Sequence, residues 1–456
     1  MPSAKADREV FITGLGPITA CGVGAEPLWE SLAAGRPALR RIARFDPSGF
    51  ACHVAGEIAD ELFDVRSVVP KSYRKATKVM ARDIELAVAG AHAAVADAGL
   101  VTRAAERADA APTLSPDRVG CHIGAGLIAA EIDELAAALA SAQRPDGAFD
   151  SGIWGSAGMN NLTPLWLLKY LPNMLACHVT IIHDCQGPSN TITCAEASSG
   201  LSIGESLRVI QRGDADACLS GGAETKVHLM GLLRQEFAGR LVGRGGAVTE
   251  DVAADDAAQI ASVRPFDPAS GGSVLGEGGG ILVLEASEVA RSRGARAYAK
   301  IAGFGASQSV NPDTVGLVTE PDGASIAAAI DAALADAAVH ADAVDAVIPF
   351  GSGIPAVDAG ERAAIARTFG ARTPSVPMVT IVPAVGNCCA GAGAVAVSVG
   401  ALMLRHQMLP ARLNSELTPG LDAVRAPSRS ARLRTILIFT TSFGGQNAAL
   451  VLRAPE

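Results

Sequence analysis

The chain is short of positive charge: 38 Lys and Arg stand against 47 Asp and Glu, a formal net charge of −9 over 456 residues. An acidic surface repels phosphate backbones and anionic bilayers, so no general nucleic-acid or membrane-surface partner is expected. No secretory leader is legible. Residues 1–8 are polar, and the apolar run from Val10 is broken by Gly14 and Gly16. The nine cysteines are scattered and odd in number. None has zinc-ligand spacing, and Cys388 and Cys389 are merely adjacent. A reducing, cytoplasmic compartment with free thiols and no metal follows as the expectation. Histidine is sparse in the second half: of eight, only His340 and His406 fall after residue 290. Neither lies in a glycine-rich turn after a strand.

One long stretch lacks charge altogether. Residues 373–404 carry none, which is long enough to span a bilayer. Pro374, Pro377, Pro383, Gly386, Asn387, Gly391 and Gly393 interrupt it, so a buried strand, turn and small-residue helix are expected, with no membrane span.

What the chain has in quantity is apolar residues, 49%, and 49 glycines, the composition of a tightly packed globular protein. Short apolar runs alternate with Ala-rich helical patterns, which predicts an α/β fold. Strands are expected at residues 8–16, 118–126, 217–221 and 280–284, and one ending over 191–194. Helices are expected at 83–100, at 165–178 with a break at Pro172, and at 197–212, stopped by Gly213. The rhythm then repeats: strands at 298–305, 344–351 and 378–385, helices at 324–337 and 391–404, and a hairpin of 434–441 with 448–452. That repetition suggests a duplication, with halves at 1–290 and 291–456. Residues 101–117 and 240–262 read as surface loops.

The most informative segment is QGPSNTITCAEASSG, residues 186–200, a strand running through a tight turn into a helix. Such an elbow lifts one side chain to a helix N-terminus, where backbone N–H groups favour negative charge. With it stand VFITGLGPITACGVG, HVTIIHDCQGPSNTI, RGDADACLSGGAE, RPFD, VLGEGGGILVLE and SFGGQN. Together, nearly end to end, these resemble the elongating ketosynthases of type II fatty-acid and polyketide synthesis. The resemblance implies a thiolase fold, a layered αβαβα of two related halves, and a dimer. It also implies joining a Cys-held acyl group to a malonyl unit on acyl carrier protein, with no cofactor.

Matched residue by residue, the motifs depart from that chemistry. The gapless match of the elbow puts Glu196 where the family has its nucleophilic Cys. The family's first His falls on Phe350, in a stretch that ends at Asp358, and its second on Asn387 after Gly386. Val382 replaces a lysine. Phe443 matches the aromatic of the C-terminal loop, whose amide joins that of the elbow residue in an oxyanion hole, and Ser442 replaces the glycine before it. Cys194 is expected in the strand, away from the apex. Cys388 and Cys389 read as buried thiols, and Ser198 and Ser199 as packing or capping residues.

Loss of Cys alone would leave a decarboxylase open, but here both histidines are replaced too. Three readings follow from the resemblance. The first is a non-condensing subunit like a chain-length factor, paired with a complete ketosynthase or with itself. The second is an enzyme with altered chemistry using Glu196, and the third a carrier-binding scaffold. The Glu196 carboxylate is expected to turn inward and take hydrogen bonds from the helix N-terminus beginning near Ala197 and from Asn387, filling the space before the Glu196 and Phe443 amides and plugging the site. Lys71, Arg74, Lys75 and Lys78 form a basic cluster that fits docking of an acidic carrier protein. The apolar segments near Thr191 and over 165–178 are the expected dimer region.

Overall fold

The computed structural model describes residues 8–105, 111–243, 251–311 and 319–455. In chain order the first half supplies strands β1 (Val10–Thr19), β2 (Val119–Ala125), β3 (Ser189–Ile192), β4 (Ala217–Glu224) and β5 (Gly278–Ala286). The second supplies β6 (Ala299–Gln308), β7 (Ala346–Ile348), β8 (Thr435–Thr441) and β9 (Gln446–Arg453). They form one sheet in the order β7-β8-β9-β6-β1-β5-β4-β2-β3.

The duplication is written in the pairing. In the first half β1–β5 and β5–β4 are antiparallel, while β4–β2 and β2–β3 are parallel. In the second, β6–β9 and β9–β8 are antiparallel, β8–β7 is parallel, and Met378 makes a parallel bridge to Val347 where a fifth strand would lie. The halves meet edge to edge through three antiparallel pairs, Val10 to Ile301 at one end and Ile12 to Ala299 at the other.

Five layers follow from the two-residue period of a strand. Leu282 and Leu284 of β5, with Ile436 and Ile438 of β8, face a central core built on helices α3 (Ser198–Arg212) and α8 (Ala392–His406). Ile281 and Val283 face the other way, onto α1 (Arg82–Asp97) and α2 (Met174–His183). Leu437 and Phe439 likewise face α6 (Ala324–Asp336) and α7 (Pro355–Phe369). Helix, sheet, helix, sheet, helix is the layered thiolase-type arrangement. Gly16 lets α1 settle directly on β1, since a Cβ there would lie 2.0 Å from the Gly90 carbonyl oxygen.

Four expectations are corrected. Residues 378–385 make no strand beyond the Met378 bridge. Val382–Val385 is a helical turn, since Pro383 at its start has no N–H for a ladder. The segment over 165–178 divides into a 3-10 turn, Trp166–Tyr170, and α2, which begins after Pro172 and runs on to His183. Of the expected loops, 106–110 and 244–250 lie outside the described residues, and the described part of 240–262 is not merely a loop: α5 (Val252–Ser262) is capped by the Asp251 carboxylate, and Arg240 is buried. Cys194 lies in the turn after β3, not in the strand. The uncharged stretch overlaps the one helical run among the described residues long and apolar enough to span a membrane, Cys389–His406. It is 83% buried between the sheets.

Candidate active site at the elbow

After β3 the chain turns through Ala195, whose φ of 45° is left-handed, into a 3-10 turn, Ala195–Ala197, and then α3. The second half repeats this: Cys389 has φ 48°, begins a 3-10 turn, Cys389–Gly391, and leads into α8. A left-handed non-glycine costs about 1–3 kcal/mol, and both elbows carry that strain toward one centre. Helices α3 and α8 are tied at these ends, where the Ala394 N–H donates to Ser199 Oγ at 3.0 Å. Ser198 Oγ accepts from the Cys194 N–H at 2.8 Å and donates to the Ala195 carbonyl at 2.7 Å. Both serines therefore serve packing and the turn, as expected.

Glu196 sits at the apex, 3% exposed. Its Oε2 accepts from the Phe443 N–H at 2.8 Å. Its Oε1 accepts from Arg240 Nη2 at 2.6 Å and Asn387 Nδ2 at 3.3 Å. Asn387 is aimed by its other end, because its Oδ1 accepts the Cys389 N–H at 2.8 Å. Burial alone would raise the Glu196 pKa. Arg240, the Phe443 and Glu196 amides and Asn387 outweigh it and hold the carboxyl below its ordinary 4.5. The group is thus an ionised carboxylate with its charge matched, a weak base and a weak nucleophile.

The structure brings Glu196, Asn387 and Phe443 into direct contact. Phe350 is set apart, buried beside Val382 and Val357, and shares with Asn387 the wall of a narrow cavity. Arg240 was not anticipated. It follows α4 (Leu229–Phe237), and its guanidinium also lies 4.8 Å from the centre of the Phe443 ring. Cys388 and Cys389 are buried thiols with pKa values pushed up by burial. Lys71, Arg74, Lys75 and Lys78 are exposed along one 3-10 stretch, Lys71–Val79, just ahead of α1. That stretch is anchored by Tyr73 Oη, 2.8 Å from His178 Nδ1.

Known proteins share this architecture throughout. The family profile described as "Beta-ketoacyl synthase, N-terminal domain" matches residues 7–290, and "Beta-ketoacyl synthase, C-terminal domain" matches 298–416. A Streptomyces halstedii protein named for polyketide beta-ketoacyl synthase 1 is 31% identical over 98% of this chain and 99% of its own. A Staphylococcus aureus 3-oxoacyl-[acyl-carrier-protein] synthase 2 is 27% identical over 99% of each. Among solved structures, the ishigamide ketosynthase/chain length factor is 28% identical with a TM-score of 0.80, covering 99% of this chain and 100% of that one. A Burkholderia phymatum beta-ketoacyl synthase is 26% identical with the same TM-score, covering 98% and 100%. With both family domains matched and the thiolase-type layers in place, this chain belongs to the beta-ketoacyl synthase family of fatty-acid and polyketide synthesis.

Proposed function

We propose that this chain is a non-condensing member of that family, a partner subunit of the chain-length-factor kind. Glu196, Phe350 and Asn387 take the places of the family's Cys, His and His. The observation that carries the reading is the hydrogen bond of 2.8 Å from the Phe443 amide to Glu196. That amide would otherwise be free to stabilise an oxyanion, and a fixed carboxylate occupies it. With Arg240 and Asn387 on its other oxygen, Glu196 is an internal plug that leaves the elbow folded and closes it to acylation.

Its partners would be a complete ketosynthase or a second copy, joined along β3, and an acyl carrier protein docked on Lys71, Arg74, Lys75 and Lys78. The halves, 1–290 and 291–456, would work as one cytoplasmic unit. Similarity to the ishigamide ketosynthase/chain length factor supports the paired arrangement. A cavity of about 510 Å³ opens beside Glu196, which favours a protein that meets an acyl chain over a pure scaffold. Chemistry by Glu196 itself is disfavoured by its matched charge.

Co-expression with a complete ketosynthase and carrier protein tests the reading. The pair should make a product whose chain length changes when residues lining this cavity are enlarged. Product of unchanged length with and without this chain would contradict it.

A further inference from the structure

The cavity beside Glu196 is not a plain hydrocarbon pocket. Its volume, about 510 Å³, lies in the range of small-molecule sites. Leu127, Ala129, Ala195 and Phe443 give it apolar wall. The segment from the end of β4 through α4 adds Lys226, His228, Arg234 and Gln235.

The charges pair off unevenly. Glu196 is neutralised by Arg240, and Glu224 by an ion pair with Lys226. Arg234, exposed at the rim, has no side-chain hydrogen bond or ion pair among the described residues, and neither has the Gln235 amide. His228 Nδ1 accepts the Gly231 N–H at 3.2 Å, so the neutral ring carries its proton on Nε2. Burial first, then Lys226, Arg234 and Arg44, push the His228 pKa down to about 4, so that neutral form holds near pH 7. The cavity therefore presents apolar wall, one uncompensated guanidinium and two further N–H donors, and its own two carboxylates are already paired.

We propose that this cavity binds an acyl chain whose end carries a carboxylate. The chain lies on Leu127, Ala129 and Ala195, and the carboxylate accepts from Arg234, Gln235 and His228. A guanidinium recognises a carboxylate by charge-assisted, often bidentate hydrogen bonds, whereas an unsubstituted alkyl end would offer these donors nothing better than water. The proposal rests on the reading of the chain as an acyl-handling subunit and specifies its ligand.

The test is calorimetric titration of the purified chain with octanoate and with its uncharged isostere octanamide, at low salt. Octanoate should bind about tenfold more tightly, as expected for a charge-assisted pair. Arg234→Ala should erase that preference, and Arg234→Lys should keep part of it. Arg234 is exposed and unpaired, so these variants should melt like the parent. Equal affinity for the two probes, binding of neither, or a preference that survives Arg234→Ala would overturn the proposal. The assay needs no turnover, so condensation activity would sink the proposed function without touching this result.

Discussion

Glu196 and Arg240 are a buried ion pair at 2.6 Å, with side chains 4% and 6% exposed. Removing one member of such a pair strands the other charge in the core, at a cost of about 3–5 kcal/mol. Arg240→Ala should therefore lower the unfolding free energy by about 3 kcal/mol in urea titrations. Glu196→Leu combined with Arg240→Met should regain most of it. A loss under about 1 kcal/mol for Arg240→Ala would mean that solvent reaches the pair. The inward turn of Glu196 and its bond to Asn387 were legible in the sequence because motif spacing fixes the elbow and the turn before α8; the Phe443 amide holds the other oxygen, where the helix N-terminus near Ala197 was the expected donor. Arg240 was not legible. It lies 44 residues from Glu196 in a stretch that reads as loop, and a lone arginine carries no periodic signal. A related prediction concerns the nucleophile: Glu196→Cys alone should not restore condensation, because Phe350 and Asn387 supply no imidazole to act on the malonyl group.

Helix α2 carries two buried histidines. Burial pushes the pKa of His178 down to about 4 and that of His183 down to about 3, from an ordinary 6.5. The unfolded chain then binds more protons than the native one between about pH 4 and 6.5, so their contribution to stability is complete above 6.5 and falls as pH drops through that window. Each contributes a slope of about 1.4 kcal/mol per pH unit there. His183→Gln should flatten the fall in urea midpoint between pH 6.5 and 5. An unchanged slope would show that the ring is not held neutral. At the sheet edge, β3 is exposed at Ser189 and Asn190 and, among the described residues, pairs only with β2. The Thr191 N–H bonds to the Asn190 side chain rather than to a strand. An unpaired edge invites a second strand, so the chain should sediment as a dimer at micromolar concentration, and Thr191→Pro should weaken that dimer. A stable monomer of the unaltered chain would contradict the pairing. Strands such as β5 and β8 were legible as short continuous apolar runs, Ile281 to Leu284 and Ile436 to Phe439, buried on both faces. The 378–385 segment misled because its apolar run is continuous while Pro383 breaks the ladder. Helix α5 was missed because its Ala- and Asp-rich sequence shows no apolar stripe.

At the scale of the whole molecule, two copies of one strand order bring two strained elbows to a common centre, and the central helices α3 and α8 hold them there. The layered fold was legible from the alternation of strands and helices and from the resemblance. The duplication was visible only as rhythm, because matching topology does not require matching residues. The same frame that would support condensation here encloses a matched carboxylate. The most direct measurement is condensation by the purified chain, given acyl and malonyl carrier thioesters, followed by mass spectrometry of the carrier. On the proposed function the nucleophile–base unit is missing, and such a loss costs about 10⁶ in rate by analogy with other such sites, so that reading predicts no β-ketoacyl carrier above the uncatalysed background. Product formed at the rate of an ordinary ketosynthase would contradict the account.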